Sequence, residues 1–456
     1  MKTAFTNLAG VLVSSAALAA DPSPGSDSEA APRYKLEPEQ ELVYESSYEF
    51  KHESGTHQST AVTTYWVAGV NPKGGWHLIA QHQSVFTQTF GNSGVKNTEP
   101  QKEDRIGTFD LLPNGRIENL SDDYHSDSLR GPLIDLPEDL ANARKGWESG
   151  REPEAKQVYR LLPESEPHAG KWTFSETQEG LFNTIYLSTS DAVIHFDSGR
   201  GLVTGSEGTS SQGYGFHGKG TTKVVLKSVS TKPKEWIDQL AEEASVLGRV
   251  RKAVDDLAKG NGYKIAAILD PAKNLLQEGR AQVKLPMIQA QFDTDLQGMT
   301  DEAKYDAANQ EKVDAVMDKP AADWETTDLG GKKQRLADYR GKVVLLDFWY
   351  RGCGWCVRAM PQIKEVAEHY RDQPVAVLGM NTDREEKDAQ FVADKLQLNY
   401  PTLKAAGLPE KYAVMGFPTL IIIDPDGVVR ARHVGYSPTL RDDLIKTVDG
   451  LMTRGK

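Results

Sequence analysis

From about Leu42 to Leu226 the apolar residues recur with a period of two. Leu42, Tyr44, Tyr48 and Phe50 share one parity, and Val62, Thr64 and Trp66 alternate with Thr63, Tyr65 and Val67. Such alternation sends successive side chains to opposite faces of a strand. Further strands are predicted across Trp76 to Phe90, Val193 to Phe196 and Thr222 to Leu226, with turns in the Gly-, Asn-, Pro- and Ser-rich runs at 71–75, 113–115 and 199–220. The pattern predicts a mainly antiparallel β domain over 36–230, a sandwich or an open barrel. A polar, partly helical stretch from Pro132 to Pro163 reads as an insertion in it.

After Pro233 the period changes. Ile237, Leu240, Ala244, Leu247, Val250, Val254 and Leu257 stand three or four apart, which lines them along one helix face. Gly260-Asn261-Gly262 stops that helix, and more polar helical sequence continues to about Met317. The polar positions mix acids with bases, so 231–319 reads as helices that pack against or separate their neighbours rather than as a membrane-surface element. From Pro320 strands alternate with helices. Val343-Val344-Leu345-Leu346-Asp347-Phe348 is a nearly continuous apolar run, the mark of a strand covered on both faces. A helix from Cys356, a strand at 375–378, a second helix from Glu385, a hairpin around Asp424-Pro425-Asp426-Gly427 and a last helix from Pro438 follow. The expected architecture is multidomain: an antiparallel β domain, a helical connecting segment, and a C-terminal α/β domain over 320–456.

At 456 residues the chain has room for about three such domains. A net charge of −12 disfavours nucleic acid or an anionic membrane as the main partner, since both need a positive footprint. Mean hydropathy is −0.52, and no apolar run approaches the roughly 20 residues of a transmembrane segment. The first 20 residues differ from the rest. Lys2, an apolar run from Leu8 to Leu18 and the ending Ala17-Leu18-Ala19-Ala20 form the pattern of a secretory signal peptide. Residues 21–35 then have the composition of a disordered tether. The expected location is exported, in the periplasm or another extracytoplasmic space.

The chain has two cysteines, Cys353 and Cys356, three apart at the predicted strand-to-helix turn. That spacing places both sulfurs within bridging distance on the first helical turn, where unpaired N–H groups and the helix dipole favour a thiolate. A Cys in such a setting has its pKa lowered from about 8.5 into the range of roughly 3.5–7.5. Cys353, nearer the mouth of the turn, is the expected attacking thiol, and Cys356 the resolving one. A zinc half-site would need two more ligands, and neither a second Cys pair nor a His-x₃₋₅-His follows. A c-type haem attachment would need His where Val357 stands. A purely structural bridge over three residues would constrain little loop entropy. Redox exchange is the strong reading, with no cofactor beyond the Cys353–Cys356 couple itself and no metal.

The run from Lys342 to Pro361, Lys-Val-Val-Leu-Leu-Asp-Phe-Trp-Tyr-Arg-Gly-Cys-Gly-Trp-Cys-Val-Arg-Ala-Met-Pro, resembles the active-site strand, turn and helix of a thioredoxin-fold protein. Gly341-Lys342-Val343-Val344, the segment between Met380 and Tyr412, and Asp424-Pro425-Asp426-Gly427 make it similar to the exported TlpA/ResA-like branch, related to AhpC/TSA proteins, over about 320–456. The resemblance implies that Asp347 exchanges a proton with the resolving thiol, a task suited to a carboxyl whose pKa is raised in an apolar strand. It implies that Trp349 packs under the turn, that Pro361 kinks the helix, and that Phe417-Pro418-Thr419 is a cis-proline loop whose Phe417 backbone pairs with a substrate strand. Gly435 would flank that groove, and Asp383 is a candidate second acid. Two departures stand out. Gly352 occupies a position usually held by Trp, and Trp355 fills a dipeptide position usually held by Pro.

The leading function is an exported thiol-disulfide oxidoreductase working as a reductase on disulfide-containing protein substrates and re-reduced by an upstream thiol donor. A thiol peroxidase on the related fold would need Thr where Tyr350 stands. A third reading makes the β domain, with Trp66, Trp76 and Trp172, a binding module that captures a client or ligand for the C-terminal domain.

Overall fold

The period-two segments join into one sheet rather than two. The computed structural model describes residues 31–454 apart from 53–54, 91–98, 122–125, 150–155, 166–168, 180–184, 186–187, 214–216 and 261–264. The signal peptide expected over 1–20, and most of the tether, lie outside the described residues. The β domain contains β1 (Gln40–His52), β2 (Gly55–Val70), β3 (Trp76–Phe90), β4 (Gln101–Leu111), β5 (Ile117–Glu118), α1 (Ser126–Arg130), α2 (Leu140–Lys145), β6 (Trp147–Ser149), β7 (Lys156–Leu161), β8 (Lys171–Glu179), β9 (Ser188–Asp197), β10 (Leu202–Gln212) and β11 (Gly218–Thr231). Among the described residues its eleven strands are ordered β5-β4-β3-β2-β1-β11-β10-β9-β8-β7-β6. First and last strands pair along the middle, from Gln40↔Thr231 to His52↔Gly218, and β5 and β6 are the edges.

The predicted parity decides the faces. Leu42, Tyr44 and Phe50 are buried while Glu45 and Ser47 are exposed. The core on that face gathers Tyr44, Tyr65, Phe109, Trp172, Phe174 and Phe196. The stretch from 132 to 163 is not an insertion. Because β5 and β6 lie at opposite edges, the chain between them crosses the sheet, and Leu133, Ile134 and Leu136 pack into the same core. Trp147 and Tyr159 then belong to the sheet itself. A few large apolar anchors separated by many charges explain why the composition reads as polar. The tether also ends earlier than 35: Tyr34 is 2% exposed in the core, and its N–H donates to Pro113 O at 2.8 Å. The Gly- and Ser-rich run at 199–220, expected as turns, carries β10 instead. Gly205 sits there at a bulge, where a Cβ would lie 2.8 Å from Val224 O.

Three helices follow, α3 (Lys234–Gly260), α4 (Ile265–Gln282) and α5 (Pro286–Asp314). The predicted stripe holds: Ile237, Leu240, Ala244 and Leu247 pack on Trp66, Ile79 and Ile106 of the sheet. Polar clamps fix the register. Gln291, 1% exposed, donates to Asp104 O at 2.7 Å and accepts from the Ile106 N–H at 3.0 Å, while Arg251 donates to Ile106 O at 2.6 Å and pairs with Asp295 at 2.7 Å. The segment packs onto the β domain.

The C-terminal domain is an α/β fold of the thioredoxin type. It begins with a hairpin of β12 (Glu325–Thr327) and β13 (Lys333–Arg335), followed by β14 (Val343–Trp349), α6 (Gly354–His369), β15 (Val375–Asn381), α7 (Glu386–Leu396), β16 (Thr402–Lys404), α8 (Leu408–Lys411), β17 (Thr419–Ile423), β18 (Val429–Val434) and α9 (Leu440–Arg454). The sheet order is β16-β15-β14-β17-β18, parallel through β16, β15 and β14 and antiparallel beyond. All seven residues of β14 are buried, as its continuous apolar run requires. Val344, Leu346 and Phe348 enter one core with Leu403 and Tyr412. Val343 and Leu345 enter the other, beneath Ile363 of α6 and Leu444 of α9.

Candidate active site

Strand β14 ends at Trp349, and Tyr350-Arg351-Gly352 turn the chain into α6, whose N-cap is Cys353. The extended backbone of that cap points the Cys353 sulfur back at the helix, where it accepts the Cys356 N–H at 3.1 Å. Cys353 and Cys356 are joined as a disulfide with Cα atoms 5.2 Å apart. A negative charge released on Cys353 by reduction would face the N–H groups of the first turn, the place where a helix favours an anion. Cys353 is 5% exposed and Cys356 1%, so the first is nearer the surface, but neither is open.

The pair lies in an apolar cluster with Trp349, Val357, Met360, Ala389 and Val392, and with Ile185 of the β domain. Trp349 is fully buried in that cluster. Pro361 lies inside α6. Asp347 is on the β14 parity of Val343, Leu345 and Trp349 and is 1% exposed. Burial pushes its carboxyl up to about 7, partly offset by the Tyr400 hydroxyl, which donates to Oδ2 at 3.2 Å. Oδ1 has no hydrogen-bond partner among the described residues. A carboxyl with that pKa and one uncommitted oxygen can take up or release a proton near neutral pH.

Asp383 is drawn into the same turn. It accepts the Arg351 N–H at 2.9 Å and the Asn381 side chain at 2.8 Å, so it ties the end of β15 to the residues before Cys353. On the opposite flank the Phe417–Pro418 peptide bond is cis, and Pro418 O accepts the Gly435 N–H at 2.8 Å. Gly435 has φ +80, and the space where a side chain would stand is open. The Phe417 ring meets Tyr350 edge-on with centroids 5.2 Å apart. Trp355 is 54% exposed, stacks on Tyr436 at 5.9 Å and has the Arg358 guanidinium 4.7 Å from its ring. All ten residues singled out from the sequence therefore belong to the turn, to the strand and helix that carry it, or to the loops beside it. Among the described residues no group of three or more His, Cys, Asp or Glu side chains could hold a metal.

Several residues of the site carry no sequence signal. Tyr400 reaches Asp347 across 53 positions. Gly379 lies opposite Asp347 in the ladder, and a Cβ there would stand 3.0 Å from Trp349 Nε1 and 3.3 Å from the Tyr400 ring. Ile185 arrives from another domain. Arg351 stands inside the motif itself, and its burial at 4% exposure is invisible in a charged residue type.

The C-terminal domain is similar to known proteins. The AhpC/TSA family matches residues 317–432. Thioredoxin-like protein YneN of Bacillus subtilis (strain 168) is 33% identical over 144 residues, 31% of this chain and 84% of that protein. Thiol-disulfide oxidoreductase ResA of Geobacillus thermodenitrificans (strain NG80-2) is 33% identical over 122 residues, 26% of this chain and 70% of that protein. Among solved structures, the thioredoxin domain of a thiol-disulfide oxidoreductase from Bacteroides vulgatus is 28% identical, covering 29% of this chain and 98% of its own, with a TM-score of 0.28.

Proposed function

Because the chain belongs to the TlpA/ResA-like thioredoxin-fold thiol-disulfide oxidoreductases, we propose that it is an exported reductase of protein disulfides. The observation that carries this reading is the Cys353–Cys356 disulfide at the N-terminus of α6, in the same domain as a buried carboxyl poised near pH 7. In the reduced protein the Cys353 thiolate attacks one sulfur of a client disulfide; a Cys353–client bond forms, the client S–S bond breaks, and its electron pair leaves on the second client sulfur. Asp347 takes the Cys356 proton. The Cys356 thiolate then attacks Cys353, closes the intramolecular disulfide and releases the first client thiolate. Two electrons have passed to the client, and an external dithiol donor restores the pair.

The direction rests on the dipeptide Gly354-Trp355, which places no His or other cation between the cysteines to stabilise the reduced form. The reduction potential of the couple, with Cys353→Ser as control, tests it. A value near roughly −270 mV supports a reductase, and one near about −120 mV overturns that direction. Export rests on the Lys2-to-Ala20 pattern, and N-terminal sequencing of protein recovered from the producing cell tests it. Cleavage after Ala19 or Ala20 is the expected result.

A second reading gives the β domain a capturing role. It is favoured by a trough of about 970 Å³ across the sheet, bordered by Ser47, Thr60, Val85, Thr177, Val193 and Thr221. Filling it with Thr60→Trp would slow reduction of a captured client while leaving reduction of glutathione disulfide unchanged; equal effects on both would overturn the reading.

A further inference from the structure

The cluster around the redox pair contains one residue that does not come from the C-terminal domain. Ile185, between β8 and β9, is fully buried in one apolar cluster with the cysteines, Trp349 and Met360. Its carbonyl accepts the Arg351 Nε–H at 2.6 Å. Arg351 is itself held from several sides: its N–H donates to Asp383, Nη1 pairs with Asp388 at 2.9 Å, and its guanidinium lies 4.1 Å from the Phe391 ring. A donor fixed in this way, two residues before Cys353, presents the β domain with a rigid anchor.

We propose that Ile185 is a specificity-determining residue of the redox site, a wedge that screens the Cys353 sulfur, with Arg351 as the positioning residue that holds it there. Thiol–disulfide exchange is an in-line displacement, so the attacking sulfur needs an open approach for the incoming sulfur and the group it carries. With 5% of Cys353 exposed, that approach is largely filled. Trp349, Val357 and Met360 cannot withdraw without opening their own domain core. Ile185 enters from another domain, and a packed side chain and a carbonyl hydrogen bond join it to the site. The wedge therefore admits slender disulfides, such as those on extended segments, ahead of bulky ones. The consequence for clients rests on the function proposed above; the screening of the sulfur does not.

The anchor is a backbone carbonyl, so the side chain can be shortened with the anchor intact. The test uses the full chain with Cys356→Ser, so that the Cys353 thiol is read alone, and compares alkylation by iodoacetamide with alkylation by fluorescein maleimide. Ile185→Gly is expected to raise the maleimide rate at least about fivefold and the iodoacetamide rate less than about twofold. Ile185→Val should stay near wild type with both reagents. Arg351→Lys, which loses the planar fork, should move the ratio in the same direction as Ile185→Gly. The midpoint of the rate against pH should stay unchanged in Ile185→Gly, because a steric screen does not alter thiolate stability. Unchanged rates, slower rates, or a rise equal for both reagents would overturn the proposal. A wild-type chain that reduces no disulfide would sink the proposed function while leaving this ratio to be read by itself.

Discussion

The Tyr400 hydroxyl donates to Oδ2 of Asp347 at 3.2 Å, with both side chains buried in the C-terminal domain. Burial and the neighbouring carboxyl push the phenol far above its ordinary pKa, so it stays a donor at every working pH. Its effect on Asp347 opposes burial, since a donor stabilises the carboxylate.

Tyr400→Phe should therefore raise the Asp347 pKa further above about 7. A lost hydrogen bond to a charged group is worth about 1.5–3 kcal/mol, which corresponds to roughly one to two pH units. In the proposed mechanism the carboxylate is the form that accepts the Cys356 proton, so the rate of mixed-disulfide resolution should rise with pH through a midpoint near 7 in the wild type. The midpoint should move upward in the variant. Stopped-flow resolution rates between pH 5 and 9 check this, and a downward move would contradict it.

The same carboxyl makes stability depend on pH. Its folded pKa of about 7 lies above its ordinary value of 3.8, so the folded state binds the proton more tightly than the unfolded state. The sign follows: no penalty exists below pH 3.8, and stability is lost as pH rises toward about 7, by up to roughly 4 kcal/mol. Asp347→Asn removes the titration. The stability difference between variant and wild type should shift in favour of the variant by a few kcal/mol from pH 5 to pH 8, measured by denaturant unfolding.

Gly379→Ala should strain the floor of the site. Its Cβ would stand 3.0 Å from Trp349 Nε1 and 3.2 Å from Thr402 Oγ1, both on buried side chains that would have to shift by a few tenths of an ångström. Overpacking of this kind costs about 1–3 kcal/mol. Thermal unfolding measures the loss, and a variant as stable as wild type would show that Trp349 is free to move.

Gln291→Leu should loosen the helices from the sheet, because Asp104 O and the buried Ile106 N–H would both lose the Gln291 side chain. A buried backbone group left unpaired costs about 1–3 kcal/mol. Hydrogen exchange at the Ile106 amide should accelerate, with exchange in β14 unchanged. Acceleration in both would mean that the helices and the redox domain open together.

Much of this fold is local in origin and so legible in the chain. Period two in Leu42 to Phe50 and period 3.6 in Ile237 to Leu257 report which face is buried, whatever buries it. The cysteine turn is legible for the same reason: an apolar strand, a short turn and a helix N-terminus are consecutive, and their chemistry needs no distant partner. The misread segments are those where a few residues outweigh their surroundings. Trp147 and Tyr159 anchor a stretch rich in charge, Tyr34 ends a tether-like run, and β10 is written in glycine and serine.

What the sequence determined by itself was the redox pair, Cys353 and Cys356, the buried strand that carries Asp347, and the helix terminus that presents the sulfurs. The tertiary structure decided their surroundings. Burial raises the proton affinity of Asp347 and Tyr400 lowers it from 53 residues away, Gly379 leaves space beside them, and Ile185 crosses from another domain into the cluster around the sulfurs. The physical reason is one of range. Periodicity and capping act between neighbours in sequence, whereas desolvation, hydrogen bonding and steric access depend on whichever side chains the folded chain brings within a few ångströms.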